Sequence, residues 1–273
     1  FDASFIGASM EEFENMVHNP GGRIYSSNQV FSNENPLDFS QNHRIYVQGD
    51  AYLNADSLLA EFISSRKCQL VAGGNIYLES GLKIKSRIEL ISGNHLIIRG
   101  DVCLEDAIIY AQNGIDAATN LTGTVQIFSP GDIQIGGNSY LNYPSVIYSS
   151  GRIVEDRIKG KIAIRGQAVV EGTIIFQHHE NVRTSSIVNN CVIEIGESAQ
   201  VSGIIYSSNN TTLDGTVNGA VITGRFFFYE SPTNYVNWMR NATIDRTQLD
   251  QDFLLPLSFD EQSMLKMLLW EYK

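Results

Sequence analysis

The sequence predicts an all-β fold, and three observations carry the prediction. A nine-residue unit recurs down the chain, its copies follow one another at strand-sized steps, and the composition is that of strands and tight turns. The copies are IYSSNQVFS (24–32), IYVQGDAYL (45–53), LVAGGNIYL (70–78), LISGNHLII (90–98) and IYAQNGIDA (109–117), then IFSPGDIQI (127–135), IYSSGRIVE (147–155), IFQHHENVR (175–183) and IYSSNNTTL (205–213). Leu70, Leu90, Ile109, Ile127 and Ile147 succeed one another at 18 to 20 residues, and the unit reads as strands without a helix. Gly, Asn, Ser and Tyr are plentiful and only 6 of 273 residues are Pro, as expected of β-structure with many turns.

Each column of the unit has a physical meaning. The first position is always Ile or Leu, and the seventh is mostly aliphatic: Val30, Ile76, Leu96, Ile115, Ile133 and Ile153. These alternate with polar residues as strands do, so both columns are expected to face inward. The third position is mostly small. The fifth is Gly or Asn in all but one copy (Asn28, Gly49, Gly74, Asn94, Asn113, Gly131, Gly151, Asn209), which reads as a left-handed corner. Strand, corner, strand at a period near 20 residues specifies a single right-handed parallel β-helix of about 9–10 rungs, roughly 40–45 Å long at about 4.8 Å per rung. An antiparallel sandwich accounts for the strand spacing but not for the recurring columns.

The ends are read as caps. Residues 1–20 contain SMEEFENMVH (9–18), with Ser9 as N-cap and Met10, Phe13, Met16 and Val17 on one face, expected to close the first rung. The β-helix is assigned to 21–230. Residues 231–273 form a tail ending in the amphipathic helix SFDEQSMLKMLLWEYK, whose Ser258 and Glu261 make a capping box.

Two longer steps, after Ile147 and after residue 175, interrupt the period. Between them IAIRGQAVVEGTI (162–174) and IEIGESAQVSGII (193–205) match at an offset of 31, and LDGTVNGAVITG (213–224) continues the style. This C-terminal third, with V-E-G, V-S-G and V-N-G each leading into apolar residues, resembles the bactofilins, bacterial polymer-forming β-helix proteins. That resemblance implies a structural role and self-association.

The second column supplies the candidate binding surface. Tyr25, Tyr46, Tyr110, Phe128, Tyr148, Phe176 and Tyr206, with Val71 and Ile91, should point outward between the inward columns and form an aromatic stripe. Such a stripe suits a protein partner or stacking on sugar rings, or it is covered by the chain's own C-terminal helix.

Other motifs point less far. His178, His179 and Glu180 are adjacent in a strand-like segment, so they cannot share a metal and read as a solvated loop. RGD at 99–101 reads as corner chemistry like the other Gly-Asp pairs. The sequons at Asn120, Asn210 and Asn241 matter only in a eukaryotic secretory setting. Cys68, Cys103 and Cys191 suggest neither disulfides nor a metal knuckle. Asp101, Asp106, Asp116, Asp132 and Glu155 are scattered among copies, and Asp116, Gln134 and Val154 share the eighth column without a carboxylate pair. No catalytic residue, metal or cofactor is therefore assigned.

A net charge of −11 disfavours nucleic acid and anionic lipid, and no apolar run is long enough to insert in a membrane. The start at Phe1 rather than Met is compatible with a removed signal or anchor, and it is the sole hint of an exported protein. The expectation is a non-enzymatic scaffold of the bacterial cell envelope offering a ladder face to a protein or glycan partner. The alternative is a polysaccharide-binding or polysaccharide-degrading β-helix enzyme, or a cytoplasmic location.

Overall fold

The computed structural model describes residues 4–19, 21–40, 42–55, 68–154, 157–178, 191–249 and 253. The chain is a parallel β-helix. The first inward column joins Ile45, Leu70, Leu90, Ile109, Ile127, Ile147, Ile174, Ile205 and Val221 in register, and Arg23 precedes Ile45, so ten rungs follow one another. They are numbered 1–10 below by these residues. The second inward column runs Ala51, Ile76, Leu96, Ile115, Ile133, Ile162 and Ile193. Both columns are buried in one continuous core. Stacking like on like lets each aliphatic side chain sit on its neighbour about 4.8 Å away, so the core grows by one layer per turn.

Serines of the third column turn out to cap the corner. Ser129 Oγ donates to Ala111 O at 2.7 Å on the rung below and accepts the Gly131 amide at 2.9 Å. Ser92 accepts the Asn94 amide, Ser149 that of Gly151, and Ser207 that of Asn209. The hydroxyl thus satisfies the fifth-position N–H two residues on, a local side-chain turn repeated rung after rung.

The fifth column needs a correction. Of its residues only Gly151 has a left-handed backbone, with φ +62°. Elsewhere glycine is required by space: a Cβ on Gly131 would stand 2.0 Å from Asn113 O, and one on Gly49 would stand 2.0 Å from Asn28 Oδ1. The neighbouring rung, not the torsion angle, sets the residue type. Beside this column Asn28 accepts the Asp50 amide at 2.9 Å, Asp50 the Asn75 amide at 2.7 Å, and Asn75 the His95 amide at 3.1 Å, each reaching one rung up.

The long step after Ile147 is an excursion. Arg152–Val154 and Arg157–Lys159 pair antiparallel as a hairpin outside the coil, and the second column passes directly from Ile133 to Ile162. Ile153 therefore belongs to neither ladder, contrary to expectation, and Ala163 rather than Val154 takes the eighth column beside Gln134. At the far end, Thr243–Ile244 adds a short parallel pairing to Thr216–Val217, while Thr233–Val236 folds back antiparallel on the end of the Thr216–Glu230 strand. The coil thus reaches past residue 230.

The N-terminal helix α1 (Ser4–His18) does not close rung 1. It starts before the expected Ser9 cap and lies on the side of the coil. Rung 1 is instead plugged from within by Phe31, Leu37 and Phe39, all buried, with the Tyr25 ring edge-on to Phe31 at 6.0 Å. The helix expected over 258–273 lies outside the described residues.

Candidate functional site

The outward stripe exists, with two register corrections. Ile24, Tyr46, Val71, Ile91, Tyr110, Phe128, Tyr148, Ile175, Tyr206 and Ile222 follow one another in register. Tyr25 and Phe176 are each displaced by one residue. Tyr25 pairs with Val47 and packs against the core, while Phe176 pairs with Ser149 and Ser207 inside it. One residue of slip exchanges the faces of a strand, so two of the seven aromatic stripe residues fall on the wrong side.

From Tyr46 to Ile175 the stripe is buried, and α1 packs on it, while Ile24 is exposed. Met10, Phe13, Met16 and Val17 form one buried cluster with Tyr46, Val71, Ile91, Tyr110, Phe128, Tyr148 and Ile175. The Phe13 ring lies 5.3 Å from that of Tyr110 and 6.0 Å from that of Phe128. Tyr46 Oη donates to Val17 O at 3.4 Å and Tyr110 Oη to Glu14 Oε1 at 3.2 Å. Val17 meets rungs 2–4 and Phe13 meets rungs 5 and 6, so the helix runs along the coil axis, opposite to the direction of winding. Fifteen residues at about 1.5 Å each span about 22 Å, or four to five rungs. Burial, then the charge and hydrogen bond of Glu14, push the Tyr110 phenol far above its ordinary range. Burial alone pushes Tyr148 up to about 12. Buried phenols held neutral are packing groups.

The remaining motifs resolve locally. Arg99 of the RGD lies over the Tyr77 ring at 4.4 Å and pairs with Glu79 at 3.1 Å, while Asp101 accepts from Asn120 at 2.6 Å. His178 makes a 2.9 Å contact from Nδ1 to Ser150 O; His179 and Glu180 lie outside the described residues. Asn210 is buried. Cys68, Cys103 and Cys191 are in no disulfide, and among the described residues no group of His, Cys, Asp and Glu could hold a metal. Among those residues, too, no helix is long and apolar enough to cross a membrane.

Among the described residues, a different surface is open. Where the strands Asp101–Ala111, Asn120–Ser129 and Tyr140–Ser149 bend, they leave a cleft of about 750 Å³ on the outer corner of rungs 4–7. The bend has a local cause on each rung. On rung 5, Asp106 is an extra residue with φ +64°, where pairing slips between Glu105 and Ala107. On rung 6, Gly123 takes φ +118° with its α-carbon against Leu104 O, and a side chain there would stand 1.9 Å from that oxygen. On rung 7, the turn is made at Tyr143–Pro144.

The cleft wall is polar. Lys83 and Ile84 are in register with Cys103 and Leu104, which places Lys85 beside Glu105; Glu105 is in register with Thr124, and Asn142 follows Leu141 beside it. Lys85, Glu105, Thr124 and Asn142 thus line the cleft across four rungs, together with Asp106 and Gln126. Such a column offers a cation, a carboxylate, a hydroxyl and a carboxamide in sequence, a set that hydrogen-bonds hydroxyl-rich ligands. The sequence does carry a sign of this site. In VCLEDAIIYA the inward alternation of Val102 and Leu104 misses a beat before Ala107 and Ile109, the mark of a bulge at Glu105–Asp106.

Fold and surface define the class as a parallel β-helix with a polar corner cleft. No protein-family model, curated protein or solved structure matches the chain. The bactofilin likeness of the C-terminal third therefore rests on its residues alone.

Proposed function

We propose that the protein is a non-enzymatic β-helix scaffold of the bacterial cell envelope that holds a stretch of polysaccharide along its corner cleft. The observation that carries this reading is the open polar column Lys85, Glu105, Thr124 and Asn142 on successive rungs. A polymer of hydroxyl-bearing rings meets such a repeating wall with repeating hydrogen bonds. The aromatic stripe, by contrast, is occupied by α1. Binding rather than cleavage is favoured because the two carboxylates lining the cleft, Glu105 and Asp106, are neighbours on one rung, whereas canonical glycoside hydrolysis places its two carboxylates on either side of the scissile bond.

The test is retention on immobilised neutral and acidic envelope polysaccharides, with soluble products assayed in parallel. Glu105→Ala combined with Thr124→Ala should weaken retention about tenfold or more, as expected for losing two hydrogen bonds, one of them to a charged group. Unchanged retention would overturn the site. Release of oligosaccharides by the unaltered protein would make it an enzyme instead.

A further inference from the structure

The corner that forms the cleft continues beyond it. On rungs 8, 9 and 10 it is made by Gly172, Gly203 and Gly219, stacked in register. A Cβ at any of them would stand 1.8 or 1.9 Å from a carbonyl oxygen of the rung below, so the rungs stack here backbone on backbone. Phe253 lies against this stretch. Its ring lies 5.3 Å from that of Tyr143, and its Cε2 is 3.0 Å from where a Cβ on Gly203 would stand. Tyr143 stands between Asn142 and Pro144, both of which line the open cleft. Among the described residues the corner is thus open on rungs 4–7 and carries the chain's own phenyl ring beyond the cleft, against Tyr143 and Gly203.

We propose that Phe253 is a specificity-determining stop, which limits the bound polymer to the length of the open cleft by occupying, against Tyr143, the place of the next sugar ring. This rests on the polysaccharide reading above. The chemistry is a direct substitution: the apolar face of a sugar ring stacks on tyrosine as a phenyl ring does. From Lys85 to Asn142 is three inter-rung steps, about 14 Å. A chain longer than that meets Phe253.

The experiment is calorimetric titration with chito-oligosaccharides, cello-oligosaccharides and oligogalacturonides of increasing length, on the full chain and on Phe253→Ala. In the unaltered protein, affinity for the series that binds should stop rising once the chain exceeds about 14 Å. In Phe253→Ala it should go on rising, by about tenfold for the longest members. Adding Tyr143→Ala should remove that gain, because the exposed subsite then lacks its ring. Should Phe253→Ala fail to fold, Phe253→Leu keeps an apolar contact and should give part of the gain. Identical length dependence in all proteins would overturn the stop while leaving the cleft standing. Failure of all three series to bind any of the proteins would overturn the polysaccharide reading itself.

Discussion

Phe13 and Tyr110, 97 residues apart in the chain, lie with their ring centres 5.3 Å from each other. The first belongs to α1 and the second to rung 5, and their contact sits at the middle of the covered stripe. Removing the Phe13 ring takes away a buried aromatic that touches two others. Phe13→Ala should destabilise the helix–coil contact by about 3 kcal/mol. The far-ultraviolet signal of the coil should remain, while binding of a hydrophobic dye should rise as Tyr110, Phe128 and Tyr148 become accessible. A variant with unchanged melting and no dye binding would show that α1 does not seal the stripe.

Ile133 is fully buried between Ile115 and Ile162 in the second inward column. Ile133→Asp places an unpaired charge in that ladder, at a cost comparable with the whole stability of an ordinary domain. The variant should show no cooperative thermal transition by circular dichroism. An unchanged melting curve would refute the column assignment.

Gly131 separates two explanations of the corner. A left-handed glycine tolerates asparagine far better than alanine, whereas a glycine required by space tolerates neither. With Asn113 O only 2.0 Å from the place of its Cβ, Gly131→Asn should be no more stable than Gly131→Ala. Both should melt well below the unaltered protein. Recovery of the melting temperature in the asparagine variant alone would restore the left-handed reading.

Acid should act through Glu194. Burial works against its charged form, but Arg165 and Lys161 outweigh it and hold the carboxyl below its ordinary value of 4.5. A carboxylate depressed in the folded state contributes stability that is present above its unfolded pKa and lost as pH falls through the folded one. Thermal stability of the unaltered protein should therefore drop below about pH 4.5 more steeply than that of Glu194→Gln. Parallel profiles would mean that the Lys161–Glu194–Arg165 cluster adds nothing to stability.

The ladder residues were legible because alternation is a local property, and Ile45, Leu70, Leu90, Ile109, Ile127 and Ile147 all announce themselves by it. Alternation fails where aliphatics run together. Ile174 and Ile175 are equally good candidates for the inward column, and only pairing with Ile147 and Tyr148 decides between them. Ile24 and Tyr25 pose the same ambiguity. Glycine was legible as necessary but not as to why, since a tight torsion and a close neighbour both exclude a Cβ. The neighbour, Asn113 for Gly131, is 18 residues away in sequence. The sequence also offers two amphipathic segments, 9–18 and 258–273, for one stripe, and nothing within either says which of them lies on it. The cleft depends on bends in three strands at once, of which only the missed beat at Glu105–Asp106 is visible in a single stretch.

The lateral seat of α1 has a consequence for how the molecule comes into being. Its apolar face, Met10, Phe13, Met16 and Val17, is synthesised before the rungs it packs on. The surface it settles on extends to Tyr148 and Ile175, so that seat is incomplete until residue 175 has been made. Through that interval the nascent protein carries an unsheltered greasy helix and an unsheltered row of aromatic rings along its growing flank. The two hazards cancel only when they meet, which makes α1 an element made early and secured late.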